Sequence, residues 1–183
     1  MAEVWQGLTA LGAAGPRVVE VGAVHIVERD DVALASLAVR RGHDLAAAAK
    51  AAGVPLPGAG LAAEGVPFGA FWMTPDMWMI EADYGTHGDI VAALKLAFGD
   101  AASITEQTDG WVRFDISGPV EPVMARLCNV DFARAAVGFA ARTVIEHTGC
   151  YVVVRAAGVT VYGPRSSAQS LLHAVEVAAR SVG

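Results

Sequence analysis

Apolar residues in this chain recur either at every second position or at spacings of three and four, and the two periods separate strands from helices. Residues 111–116 alternate, with Val112, Phe114 and Ile116 on one face and Arg113 and Asp115 on the other. Ala168, Leu171, Leu172, Val175, Ala179 and Val182 form a helical stripe. Ser166 and Gln169 stand at its start as a capping box, and Glu176 and Arg180 pair at i,i+4 on the wet side. Between Phe71 and Ile80 a strand, a Pro75-Asp76 turn and a second strand are predicted, with Trp72 and Trp78 flanking the turn.

The remaining elements follow from the same periods. One strand is predicted over 18–28, and a short alanine-rich helix over 45–52, capped by Asp44 and stopped by Gly53. Pro55 to Gly60 is a loop. The hairpin of 69–73 and 76–81 is followed by a helix burying Ile90, Leu94 and Phe98, for which Thr86 and Asp89 offer a capping-box-like start. Asp109-Gly110 predicts a second hairpin joining 104–106 to 111–116. Ser117-Gly118-Pro119 opens a helix to about Leu127, 132–139 is ambiguous, and strands are expected over 140–146, 150–155 and 159–162. Helices do not alternate one-to-one with strands, so the fold class is α+β with largely antiparallel sheets and two plausible related halves. Residues 1–17, small and glycine-rich, are expected as a loose arm ahead of a single domain over 18–183.

Composition adds one constraint. Of 183 residues, 54% are hydrophobic and only 17% charged, against about 25% charged in ordinary domains. A permanent partner surface would account for that, because obligate interfaces resemble a core cut in half. The net charge of −6 and the scattered Lys and Arg exclude a nucleic-acid or anionic-membrane footprint. Two cysteines, Cys128 and Cys150, give no disulfide framework and fit a reducing cytoplasm. No secretory signal is read at Met1-Ala2-Glu3-Val4-Trp5, and no apolar run reaches a membrane span.

Candidate chemistry is sparse. His147-Thr148-Gly149-Cys150 has the spacing of half a zinc site, but no second pair exists, and a turn between strands explains it. Cys128 has no base assigned to it and reads as packing. His25, His43, His87, His147 and His173 show no ligand spacing, and His173 falls on a polar helix face. The glycines near 12–15 and 58–60 complete no dinucleotide or phosphate-loop pattern. Arg165 with Ser166 and Ser167 at a helix start could hold an anion or a partner carboxylate. Trp72 and Trp78 could be core or interface anchors. No residue is assigned as catalytic, cofactor-binding or metal-ligating. The candidate partner contacts are Trp72, Trp78 and Arg165.

Three segments carry a resemblance: residues 72–79; Asp115-Ile116-Ser117-Gly118-Pro119 with Leu127-Cys128-Asn129-Val130-Asp131-Phe132; and residues 162–171. In their order and spacing the chain resembles the gamma subunits of heterotetrameric sarcosine oxidases over about 30–179. Thr74 departs from the glycine expected before Pro75-Asp76. The resemblance implies the α+β fold of the folate-binding aminomethyltransferases. It also implies a cytoplasmic complex with alpha, beta and delta subunits. That complex oxidises sarcosine to glycine, yielding hydrogen peroxide and formaldehyde or methylene-tetrahydrofolate. FAD, FMN, NAD and folate are implied for the partner subunits and no cofactor for this chain, which acts structurally. Two other functions remain open: an autonomous folate-dependent one-carbon transferase, drawing a carboxylate from Asp76, Glu81, Asp115 or Asp131, and a homo-oligomeric small-molecule-binding module.

Overall fold

The computed structural model describes residues 7–182. Its first strands, Val18–Val21 (β1) and Val24–Arg29 (β2), form an antiparallel hairpin. The single strand predicted over 18–28 is therefore two. Gly22 turns the chain at φ 57°, a left-handed conformation that a residue without Cβ adopts at no steric cost.

The next strand, Val32–Val39 (β3), has no counterpart in the sequence prediction, yet it lies inside its sheet between two neighbours. Ala33, Ala35 and Leu37 face one core and Leu34 faces another, so five consecutive residues are buried and no polar alternation marks the strand. Ala46–Ala52 (α1) follows, with Asp44 accepting from the Ala46 N–H and Gly53 closing the helix in the left-handed region.

Two-residue Ala62–Ala63 (β4), then Phe68–Thr74 (β5) and Met77–Asp83 (β6), build the predicted hairpin, with Trp72 opposite Trp78 and Asp76 in the turn at φ 58°. Tyr84–His87 (α2) is one turn, capped by Asp83 through the Thr86 N–H. Ile90–Phe98 (α3) is capped by Asp89, which accepts from Ala92. The Thr86–Asp89 box is thus not formed; each aspartate caps its own helix.

Ala102–Glu106 (β7) pairs with β3, whereas Trp111–Ser117 (β8) pairs with β2. Asp109-Gly110 therefore joins two sheets rather than two strands of one hairpin. A turn sequence specifies a local reversal, but the long-range partner of each strand is set by the faces it must bury.

Val120–Leu127 (α4) follows the predicted Ser117-Gly118-Pro119 start; residues 132–138 are turns and irregular chain, and Phe139 forms an isolated bridge with Leu61. Ala140–Ile145 (β9), Thr148–Arg155 (β10) and Gly158–Pro164 (β11) form an antiparallel meander, and Ala168–Arg180 (α5) completes the fold. Ser167, not Ser166, precedes α5, and no side chain caps it. Gln169 instead donates to the Leu11 carbonyl at 3.0 Å.

Two antiparallel sheets result, ordered β1-β2-β8-β11-β10-β9 and β4-β5-β6-β3-β7. Each is backed by helices on its outer face. Val112, Phe114, Ile116, Val152 and Val161 pack against α4 and α5, while Ala35, Leu37, Ala70 and Ile80 pack against α1 and α3. The two inner faces meet around Leu34, Phe71, Met79, Tyr151, Val153 and Tyr162. The Phe71 ring lies 5.4 Å from Tyr151 and 5.0 Å from Tyr162, contacts that contribute about 0.5–1.5 kcal/mol each beyond area burial.

The segment expected as a loose arm is attached over residues 8–17. Buried Glu28 accepts from the Leu11 and Arg17 N–H groups at 3.0 Å each, and Arg165 donates to the Leu8 and Thr9 carbonyls. The first six residues of that expectation lie outside the described residues.

Candidate functional site

Because side chains alternate along a strand, the polar positions of β6, β8, β10 and β11 that oppose the helix-packed faces point between the sheets. Glu81 comes from β6, Arg113 and Asp115 from β8, Arg155 from the end of β10, and Thr160 and Tyr162 from β11. The sequence period placed Arg113 and Asp115 on one face; the structure shows that this face meets the second sheet.

Glu81 is the hub. Its carboxylate accepts from the Tyr162 hydroxyl at 2.6 Å and from Arg155 Nη2 at 2.8 and 2.9 Å, with Arg113 Nη1 at 3.5 Å. Arg113 reaches Asp115 through two N–H groups at 3.0 Å each and lies 5.8 Å from the centre of the Tyr162 ring. Asp115 also accepts from Thr160 Oγ1 at 2.6 Å and Arg29 Nη1 at 3.1 Å. Arg155 Nε donates to Thr160 at 2.7 Å and its Nη1 to Glu64 at 3.3 Å. The charges thus form a closed lattice across both sheets. Among the described residues, no buried side-chain nitrogen or oxygen lacks a hydrogen-bond partner.

The electrostatics follow from burial and pairing. Burial disfavours the Asp115 carboxylate, but the Arg113 hydrogen bond and charge, Thr160 and Arg29 outweigh it and hold the carboxyl below its ordinary range. Burial also opposes charge on Arg113 and Arg155. Glu81 and the buried Tyr162 oxygen overcome it and raise both guanidinium groups. Burial first, and the Glu81 charge second, push the Tyr162 phenol well above its usual range. The phenol is therefore a fixed donor.

The lattice borders a cleft of about 320 Å³ between the sheets, walled by Arg29, Glu64, Val66, Glu81, Arg113 and Arg155. A second cleft of about 550 Å³ opens beyond Arg29 and Arg113, beside Thr9, Glu106 and Trp111. Of the carboxylates named from sequence, Glu81 sits at the first cleft and Asp115 at a separate pocket beside Ser117 and Gly158, and both are consumed by arginines. The other two lie elsewhere: Asp76 is exposed in its turn, and Asp131 pairs with Arg134 at 3.4 Å. Sequence reasoning named no role for Tyr162, Arg113 or Arg155. The available signal was a polar residue at the inward phase of three strands that end in one region.

The remaining sequence candidates occupy scattered positions. Trp72 and Trp78 are half-buried, and the Trp78 indole N–H donates to the Pro57 carbonyl at 2.8 Å. Arg165 is engaged by the chain's own carbonyls and lies 3.6 Å from Asp109. His147 is exposed in the β9–β10 turn, while Cys150 is buried against α5's core, so the half-site points two ways. Among the described residues no His, Cys, Asp and Glu group is arranged to hold a metal. None of the described helices is long and apolar enough to cross a membrane.

Two antiparallel sheets meeting face to face, each backed by helices, make an α+β domain. A chain of the heterotetrameric sarcosine oxidase from Corynebacterium sp. U-96, solved in complex with pyrrole 2-carboxylate, matches 90% of this chain and 87% of its own length, with TM-score 0.75 and 20% identity. The glycine cleavage system aminomethyltransferase T from Bartonella henselae matches 84% of this chain, with TM-score 0.61 and 14% identity. This chain spans 48% of that one. No protein-family model and no curated protein matches the sequence. These likenesses establish the fold, and a fold by itself sets no activity.

Proposed function

We propose that this chain is the non-catalytic gamma subunit of a heterotetrameric sarcosine oxidase, in the cytoplasm, with alpha, beta and delta subunits as partners. The carrying observation is the near end-to-end match, 90% of one chain and 87% of the other, to a single chain of such an enzyme. The shared fold thus accounts for most of both chains, as the subunit reading expects. The aminomethyltransferase, by contrast, has as much chain again beyond the shared region.

The lattice supports a structural role. A carboxylate that activates an amine or a folate needs a free lone pair aimed into a cavity. Glu81 and Asp115 instead spend theirs on arginines, a threonine and a tyrosine of the same chain. FAD, FMN, NAD and folate then belong to the partner subunits, where sarcosine is oxidised to glycine with release of hydrogen peroxide and formaldehyde or methylene-tetrahydrofolate. Trp72 and Trp78, half-buried on the β5–β6 hairpin, are the candidate partner contacts.

Co-expression with the candidate large subunits, and purification through a tag on this chain, tests the reading. A yellow, flavin-bearing complex is expected. Recovery of the tagged chain alone, with the large subunits soluble in the same extract, would refute it. Tetrahydrofolate titrated into the isolated chain should give no micromolar binding; such binding would favour the transferase instead.

A further inference from the structure

The outer face of the five-stranded sheet carries an unusual surface. Helices α1 and α3 bury Leu45, Ala49, Ile90, Leu94 and Phe98 against that sheet. Their opposite side exposes Ala46, Ala47, Ala51 and Ala92, and Leu96 stands 92% exposed among them. Small side chains have little rotamer freedom to lose when another surface closes on them. Exposed alanines on these two helices are therefore inexpensive to cover, and Leu96 supplies an apolar anchor.

Charge gives the occupant. The chain has two lysines, Lys50 and Lys95, and both are exposed on these two helices. Neither forms an ion pair among the described residues. Arg40 and Arg41 lie on the connection leading into α1. Across residues 40–53 and 89–100 four cations face three carboxylates, a formal +1, in a chain whose total is −6. Two of those carboxylates are engaged with backbone, Asp44 with Ala46 and Asp89 with Ala92, and Asp100 lies 3.8 Å from Arg40. The lysines are thus unneutralised cations beside apolar surface on an otherwise acidic molecule. Such a surface is complementary to an acidic, apolar-centred face, whereas a two-fold pairing of copies through it would set Lys50 and Lys95 against their own counterparts.

We propose that this face of α1 and α3, centred on Leu96, Lys50 and Lys95, docks an acidic face of a larger companion subunit. The proposal rests on the subunit reading above and adds the surface and its chemistry. It fits the low charged fraction of the sequence, since a docked face needs no solvating charge of its own.

The two lysines provide a direct readout. The tagged chain is purified alone and as the co-expressed complex, each is treated with an amine-reactive acetylating reagent, and Lys50 and Lys95 are followed by mass spectrometry. Both should modify rapidly in the isolated chain and at least ten-fold more slowly in the complex. Leu96→Asp and the double variant Lys50→Glu/Lys95→Glu should lose co-purification while keeping the circular dichroism and melting temperature of the parent. Val177→Asp, at an exposed position on α5, should retain it. If the complex forms but the lysines stay reactive and both variants co-purify, this face is not the docking surface and the subunit reading survives. If no large subunit accompanies the parent chain, both ideas fail. Protection of the lysines in a homodimer of the isolated chain would overturn the assignment to a companion.

Discussion

The Tyr162 hydroxyl donates to Glu81 Oε1 at 2.6 Å, joining a strand of the six-stranded sheet to one of the five-stranded sheet through two buried side chains. A charge-assisted bond in such a setting is worth about 1.5–3 kcal/mol. Tyr162→Phe keeps the ring that packs on Phe71 and removes only the hydroxyl, which donates to Glu81 and accepts from Arg155 Nη2 at 3.0 Å. It should lower unfolding stability by that amount in a urea titration, with the slope m unchanged. An unaltered midpoint would show that the hydroxyl adds nothing to the join.

Glu81 neutralises Arg155 directly and Arg113 at longer range. Removing one member of a buried ion set strands the others, at a cost of about 3–5 kcal/mol, while replacing the set with apolar groups is often neutral. Glu81→Met alone should therefore destabilise strongly, and Glu81→Met/Arg155→Met should recover part of the loss. A double-mutant cycle measures the coupling. Strictly additive losses would mean that the two side chains do not act as a pair.

What could be read from sequence, and what could not, divides along the same line. Strands facing helix on one side and polar groups on the other were visible, as at Val112 to Ile116, because their period of two is intact. The helix over Ala168 to Val182 was visible from its stripe. Strand β3 was not, because burial on both faces and its alanine content erase the alternation. The Asp109-Gly110 turn was legible, but the sheet change it performs was not, since strand partners are chosen by distant surfaces. The lattice stayed hidden for the same reason: Glu81 and Tyr162 are 81 residues apart, and nothing local to either announces the other.

Acid should unfold the protein partly through Asp115. Its carboxyl is held below the ordinary range, because the Arg113 hydrogen bond and charge, with Thr160 and Arg29, overcome the opposing effect of burial. The unfolded chain then takes up the proton first, so this contribution is complete above about pH 4 and fades as pH falls through the folded pKa. Denaturation midpoints should be flat from pH 5 to 7 and drop below 4. Asp115→Asn should be less stable at pH 7 and should flatten part of the acid slope. An unchanged slope would remove Asp115 from the account.

Gly158 begins β11 at φ 149°, a conformation that L side chains rarely adopt, and a Cβ there would run into the Ile116 carbonyl of the neighbouring strand. The β10–β11 turn needs that close approach to seat Arg155 beside Thr160 and Glu81. Gly158→Ala combines backbone strain, about 1–3 kcal/mol, with a shift of β8 against β11. A fall in melting temperature should accompany weaker amide protection at Thr160 and Val161 in hydrogen exchange. Retained protection with a lower melting temperature would confine the damage to the turn.

The two thiols should differ sharply in reactivity. Cys150 lies in the core against α5, and burial, the main cause, pushes its thiol up to about 11. The thiolate is the reacting form, and an ordinary cysteine titrates near 8.5. At neutral pH that difference alone reduces the thiolate fraction by about two orders of magnitude, before steric exclusion is counted. Cys128 is half-buried at the end of α4, with Sγ 3.8 Å from the Met124 carbonyl. Iodoacetamide at pH 7.5 should therefore label Cys128 in the native protein and leave Cys150 unmodified until denaturant is added, as read by peptide mass spectrometry. Equal labelling of both before unfolding would mean that the helix-backed core opens far more readily than its packing implies.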